Sequence, residues 1–189
     1  MTNKTISILS GVVFALALPL AQGAVRNANT SSVMDLANQS KAKTMLKQVE
    51  SAAASVASEA DHLHSLAENN YSREANLEAL MSLRDEVNEM GKAISWLNGQ
   101  RDSLTPTENH ALDTLIPLAQ SIASNTSHAI EYFNEGAPRV ATGLFSSVSW
   151  NVFQDSQKIE RTVSDSLKFE KLRTQEAKLQ DRVQAEAEE

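Results

Sequence analysis

The chain of 189 residues contains no cysteine, only 6 glycines and 4 prolines, and only 5% aromatic residues. Without cysteine it has no disulfide, no cysteine-ligated zinc, no iron–sulfur cluster and no catalytic thiol. The scarcity of aromatic and β-branched residues disfavours a sheet-rich fold. The net charge of −7 argues against nucleic-acid binding, which needs a basic surface. What is present is a chain of single-domain length with the composition of a helical protein.

The first 23 residues have the three parts of a secretory signal peptide. Lys4 supplies the positive start, and an apolar run covers residues 6–20. The small residues Ala21 and Gly23 precede a predicted cut after residue 23, with a cut after Ala24 as the alternative. The alternative is an uncleaved membrane anchor, but the apolar run is shorter than the roughly 20 residues that span a bilayer. We therefore predict a periplasmic or secreted protein with no integral membrane segment after cleavage.

Four later stretches carry apolar residues at alternating steps of three and four, the spacing of helices packed side by side. The predicted helices are residues 31–69, 72–98, 105–134 and 138–185. Their short connections favour an all-α fold, an antiparallel up-down-up-down four-helix bundle.

The segments outside the predicted bundle differ in character. Residues 24–30 show no periodicity and are predicted to be a flexible leader, and residues 186–189 a frayed tail. Because the first and fourth helices are the longest, we expect residues 31–42 and 165–185 to overhang the bundle at one end. The exposed tail carries charges of both signs, which is typical of a helix that pairs with a partner.

The apolar stripes define a predicted core. In the first three helices its members are Leu46, Val49, Ala53, Val56, Ala60, Leu63, Ala67, Leu80, Leu83, Val87, Met90, Ile94, Leu97, Leu112, Leu115, Ala119, Ile122, Thr126, Ala129 and Phe133. In the less regular fourth helix they are Leu144, Phe145, Val148, Val152, Ile159, Val163, Leu167, Phe169 and Leu172.

Local signals mark the helix ends and irregular positions. Ser72 is a candidate N-cap for the second helix. Thr105, with Pro106 next to it and Glu108 three residues on, predicts a capping box at the start of the third helix. Thr126 is expected to bond back to the carbonyl one turn earlier. Pro117 predicts a kink in the third helix.

Histidines and carboxylates give the main candidates for a metal site. Glu59 and His62 form a Glu-x-x-His unit, and His128 and Glu131 form its reverse. Di-metal centres in bundles use two Glu-x-x-His units together with two further glutamates. We predict no metal site, because only one forward unit is present. We keep Glu59, His62, His64, His128 and Glu131 as the candidates.

The sequence gives little support to a haem site or to a catalytic serine. A Met90–His110 pair would be needed to hold a non-covalent haem, but a methionine on a helix stripe is normally core filler. No serine lies in a Gly-x-Ser-x-Gly motif. We therefore predict no cofactor and no enzymatic activity. The spacing of Phe145, Trp150 and Phe153 prevents all three from facing the core and predicts a partly exposed aromatic patch.

These patterns favour an exported, non-enzymatic helical-bundle protein. Its predicted activity is protein interaction or self-association through the fourth helix, in the cell envelope or outside the cell. The expected partner is a protein or a second copy of the chain, not a nucleic acid. The alternative function is that of a periplasmic four-helix bundle that binds a metal or haem.

Overall fold

The computed structural model describes residues 28–69, 72–134 and 142–187, with side chains from residue 39 in the first segment and residue 145 in the last. Four helices run through them: α1 (Ala28–Glu68), α2 (Arg73–Gly99), α3 (Pro106–Asn134) and α4 (Thr142–Ala187). A 3₁₀ turn at Arg101–Ser103 lies between α2 and α3, and the described residues contain no strand. The prediction of an all-α fold of four packed helices is confirmed.

Within the described residues, the helix bounds differ from the predicted ones by up to three residues. Helix α1 begins at Ala28, inside the predicted leader 24–30, and α4 continues to Ala187, inside the predicted frayed tail. The described part of α4 begins at Thr142. The predicted signal peptide and the predicted start at Pro138 lie outside the described residues.

A single apolar core joins the four helices. Every core residue predicted in α1, α2 and α3 is buried, including the polar residue Thr126. The steps of three and four keep these residues on one face of each helix, where a neighbouring helix covers them. Alanines at many of these positions allow close approach of the helices. The predictions for these three helices are confirmed.

Helix α4 follows its predicted stripe only in part: Phe145, Val152, Ile159 and Val163 are buried, Val148 and Leu167 are half-buried, and the Leu144 side chain lies outside the described ones. Its buried positions from residue 145 onward carry four apolar and four polar side chains: Phe145, Ser149, Val152, Ser156, Ile159, Val163, Ser166 and Glu170. These positions follow steps of four and three, so Phe169 and Leu172 lie one residue away from the buried face, a turn of about 100°. Both side chains are exposed, and their predicted place in the core is wrong.

Two hydroxyls in the core, those of Thr126 and Ser156, donate to carbonyls of their own helix. Thr126 Oγ1 donates to the carbonyl of Ile122 at 2.9 Å, as predicted, and Ser156 Oγ donates to the carbonyl of Val152 at 2.7 Å. Each hydroxyl thus needs no partner from another helix. Helix α3 continues without interruption past Pro117, and the kink there stays a prediction.

Both predicted N-caps are confirmed. The Ala75 amide donates to Ser72 Oγ at 3.2 Å. The Glu108 amide donates to Thr105 Oγ1 at 3.2 Å, and the Thr105 amide donates to Glu108 Oε2 at 2.9 Å. This reciprocal pair satisfies two amides that the first turn of a helix leaves without intrahelical partners.

Thr105 also joins the start of α3 to α4. Its hydroxyl donates to Glu170 Oε1 at 3.0 Å, and Glu170 is buried. One side chain therefore caps a helix and supplies a hydrogen bond to a buried carboxylate. A buried carboxylate that loses its donor retains the cost of desolvation.

Replacing Thr105 by alanine is expected to lower the free energy of unfolding by about 2 kcal/mol, because the cap and the bond to Glu170 are both lost. Thr105→Ser keeps the hydroxyl and is expected to lose less than half of that. Urea denaturation followed by circular dichroism measures both changes. Equal losses in the two variants would show that the hydroxyl contributes nothing.

Crossing a bilayer sets a requirement on the length and hydropathy of a helix, and the described helices do not meet it. None of them contains a segment that is both long and apolar enough to cross a membrane. The finding covers residues 28–69, 72–134 and 142–187 only.

Candidate functional site

The histidine and carboxylate candidates are distributed over separate surfaces. Glu59 and His62 lie on α1 and line a shallow groove of about 240 Å³ against α2, together with Glu78. His128 and Glu131 are exposed on α3. His64 lies between α1 and α4 instead. Within the described part of the chain, no three histidine or acidic side chains are grouped so that they could hold a metal ion.

His64 connects α1 to α4. Its Nδ1 lies 3.0 Å from both the carbonyl oxygen and the Oγ of Ser146, and its Nε2 lies 3.5 Å from Glu68 Oε1. These distances join a serine, a histidine and a glutamate, the residue types of a hydrolase triad. No local pattern predicts this contact, because residues 64 and 146 are 82 positions apart and belong to no common motif.

The cluster joins the two helices in either tautomer of the imidazole. Nδ1 lies at the same distance from both Ser146 oxygens, so with the proton on Nδ1 it donates to the carbonyl, and with the proton on Nε2 it accepts from the hydroxyl. Glu68 is itself exposed. His64 therefore acts as a hydrogen-bonded link between α1 and α4.

The aromatic residues near this link are divided between core and surface. Phe145 is buried, Phe153 is half-buried against the core, and Trp150 is exposed. The Trp150 ring stacks on Phe153 with centroids 5.1 Å apart, and its centroid is 5.5 Å from that of His64. Stacking of this kind fixes the indole on the surface. The exposed part of the predicted patch is therefore Trp150.

The two residues considered for haem are not brought to one cavity. Met90 is fully buried in the core, and His110 is exposed on α3. Axial ligation requires both side chains to reach the same iron. The arrangement of these two residues therefore gives no support to a haem site.

The end of α4 carries an exposed apolar face, which we call the tail stripe. It consists of Phe169, Leu172, Leu179 and Val183, with exposed fractions of 54%, 63%, 53% and 65%. Steps of three, seven and four place them along one side of the helix. Every residue from 171 to 187 is exposed, so no described part of the chain covers this face.

A second feature, the lysine groove, lies between α1 and the same part of α4. It has a volume of about 560 Å³. It is lined by Lys43, Lys47, Glu50, Ser164, Leu167, Lys168, Glu170, Lys171, Thr174, Gln175 and Lys178. Five ammonium groups and two carboxylates thus surround one groove in a chain with a net charge of −7.

Comparison with known proteins adds no family assignment. No protein-family model, no curated protein and no solved structure matches the chain significantly.

Proposed function

We propose that this chain is an exported, non-enzymatic helical-bundle protein that acts by self-association through α4, in the cell envelope or outside the cell. The observation that carries the proposal is the tail stripe, four large apolar side chains exposed on one helix face. Large apolar patches on a protein surface mark interaction sites. Export rests on the sequence of residues 1–23 alone.

We further propose that the helices alternate in direction, in an antiparallel up-down-up-down bundle. Contacts between α3 and α4 support this: Thr105 bonds to Glu170, and Ser121 bonds to Asp155. The residue numbers rise along α3 as they fall along α4. Helices α1 and α4 follow the same rule, because residue 64 meets residue 146 while residue 43 shares a groove with residue 178.

The same contacts support an overhang. Thr105, the residue before α3, meets α4 at Glu170, and the exposed stretch of α4 starts at the next residue. Glu170, Ser166 and Ala42 are buried, so the proposed overhang of α4 starts near residue 171 and not at residue 165. After residue 170, we expect α4 to have only α1 as a neighbouring helix.

A second copy of the chain is the partner that fits this surface best. Residues 171–187 carry four basic and three acidic side chains, although the whole chain is strongly acidic. Two copies therefore bring together near-neutral tails instead of two acidic surfaces. A symmetric dimer uses the same patch on both subunits, and two α1–α4 pairs would together form a further four-helix layer.

The test is to add charge to the tail stripe. Leu172→Glu/Leu179→Glu is expected to convert the protein from dimer to monomer in analytical ultracentrifugation, because burying two unpaired carboxylates opposes association. Both positions are exposed, so the thermal melt of the bundle should be almost unchanged.

A matched control adds the same charge to the opposite side of the tail. Thr174→Glu/Ala185→Glu changes two exposed residues that lie about 200° around the helix from Leu172 and Val183 respectively. This variant is expected to remain a dimer. A monomeric unmodified protein, or a stripe variant that stays dimeric, would contradict self-association through this face.

A further inference from the structure

The lysine groove combines positive charge with apolar surface. Leu167, the one apolar residue in its lining, is half-buried and packs against the core. Lysine side chains contribute apolar stems of four carbons below their ammonium groups. The volume of about 560 Å³ lies within the range of small-molecule sites, roughly 300–1,000 Å³. The groove thus offers both apolar contact and positive charge.

Most of the positive charge in the groove is not neutralised by the protein. Lys168 lies 3.6 Å from Asp165. Lys43, Lys47, Lys171 and Lys178 have no carboxylate within ion-pair distance among the residues that the structure describes. Ammonium groups of like charge around one groove repel each other, and a bound anion relieves that repulsion.

The two carboxylates of the groove, Glu170 and Glu50, differ in burial and in their partners. Glu170 accepts a hydrogen bond from Thr105, lies 3.8 Å from Arg173 and is buried, so its charge is already engaged by the protein. Glu50 is half-buried on α1. Neither removes the excess of positive charge, because five lysines line the same surface.

The charge of the whole molecule limits the kind of anion. A long polyanion such as a nucleic acid would extend beyond the groove over a chain with a net charge of −7, which repels it. A small anion avoids that repulsion. An apolar tail on the same molecule gains from contact with Leu167 and the lysine stems.

From these features we propose that the lysine groove binds an anionic amphiphile, a single acyl chain with a carboxylate or phosphate headgroup. The acyl chain lies along Leu167 between α1 and α4, and the headgroup contacts ammonium groups of the groove. This site is independent of the proposed self-association, because the groove and the tail stripe occupy different sides of α4.

Isothermal titration with decanoate below its micellar concentration tests the proposal on the full chain. Saturable binding is expected, weakening as salt is added because the contacts are ionic. Acetate, which has the headgroup alone, and decanol, which has the chain alone, are both expected to bind at least about tenfold more weakly than decanoate.

Substitutions locate the site. Lys47→Gln/Lys171→Gln/Lys178→Gln removes three ammonium groups of the groove and is expected to weaken decanoate binding at least about tenfold. The control Lys92→Gln/Lys158→Gln removes lysines that pair with Glu89 and Asp155 elsewhere, and its affinity should stay within about twofold. The thermal melt of each variant shows that the bundle is intact.

Several results would overturn the proposal. They are the absence of decanoate binding, equal affinity for decanol or for acetate, and unchanged affinity in the triple variant. A flotation assay with vesicles of anionic phospholipid separates a free amphiphile from a lipid headgroup in a membrane. Binding to vesicles without binding to monomeric decanoate would also overturn it.

Discussion

Leu115→Ala is expected to lower the free energy of unfolding by about 3 kcal/mol, whereas Leu179→Ala is expected to change it by less than about 0.5 kcal/mol. The chemical change is identical, but Leu115 is fully buried and Leu179 is 53% exposed. Truncating a buried leucine loses its transfer free energy and leaves a cavity, while truncating an exposed one loses neither.

This pair is a direct test of the division of the chain into core and tail. Chemical denaturation of the two variants beside the unmodified protein measures the difference. For a chain of this size, about 3 kcal/mol corresponds to a fall of roughly 6–12 °C in Tm. The protein has no disulfide that could compensate, because it has no cysteine. At a concentration at which the protein is monomeric, similar losses in both variants would mean that the tail stripe is covered by another part of the same chain.

The core of α1, α2 and α3 was predictable because the relevant information is local. Steps of three and four on a helix select one face, and all the residues predicted there in these helices are apolar except Thr126. The capping box at Thr105 and Glu108 is local in the same sense. Its geometry depends on residues only three positions apart, and both of its hydrogen bonds are present.

Helix α4 was harder to predict because its burial depends on other helices. Ser149, Ser156 and Ser166 take buried positions, while Phe169 and Leu172 are exposed. Composition alone suggests the reverse. The positions of α1 and α3 determine which side of α4 is buried and at which residue the burial ends. Those positions are fixed by packing between residues far apart in sequence.

The candidate surfaces depended on the same long-range information. The contact of His64 with Ser146 spans 82 residues, and the lysine groove joins α1 to residues of α4 more than 100 positions later. Each lysine by itself is typical of an exposed helix face. Only the register between α1 and α4 places them around one groove, and no local pattern encodes that register.

Two truncations are expected to separate the tail from the bundle. A chain ending at Glu170 lacks residues 171–187, all of them exposed, and the two residues after them, so the free energy of unfolding of its monomer should stay within about 0.5 kcal/mol of that of the full-length monomer. The same truncation removes Leu172, Leu179 and Val183, and we expect self-association to be lost completely. Denaturation and analytical ultracentrifugation measure the two effects.

A chain ending at Ser164 should lose self-association and also stability. It lacks Leu167, which packs against the core, and Glu170, the acceptor for the Thr105 hydroxyl. Loss of this apolar contact and hydrogen bond is expected to cost about 2 kcal/mol more than the shorter deletion. The boundary between bundle and tail would then lie between these two ends. Equal free energies of unfolding for the two truncated chains would place that boundary before residue 165. A chain ending at Glu170 that still forms dimers would exclude the tail stripe as the association surface.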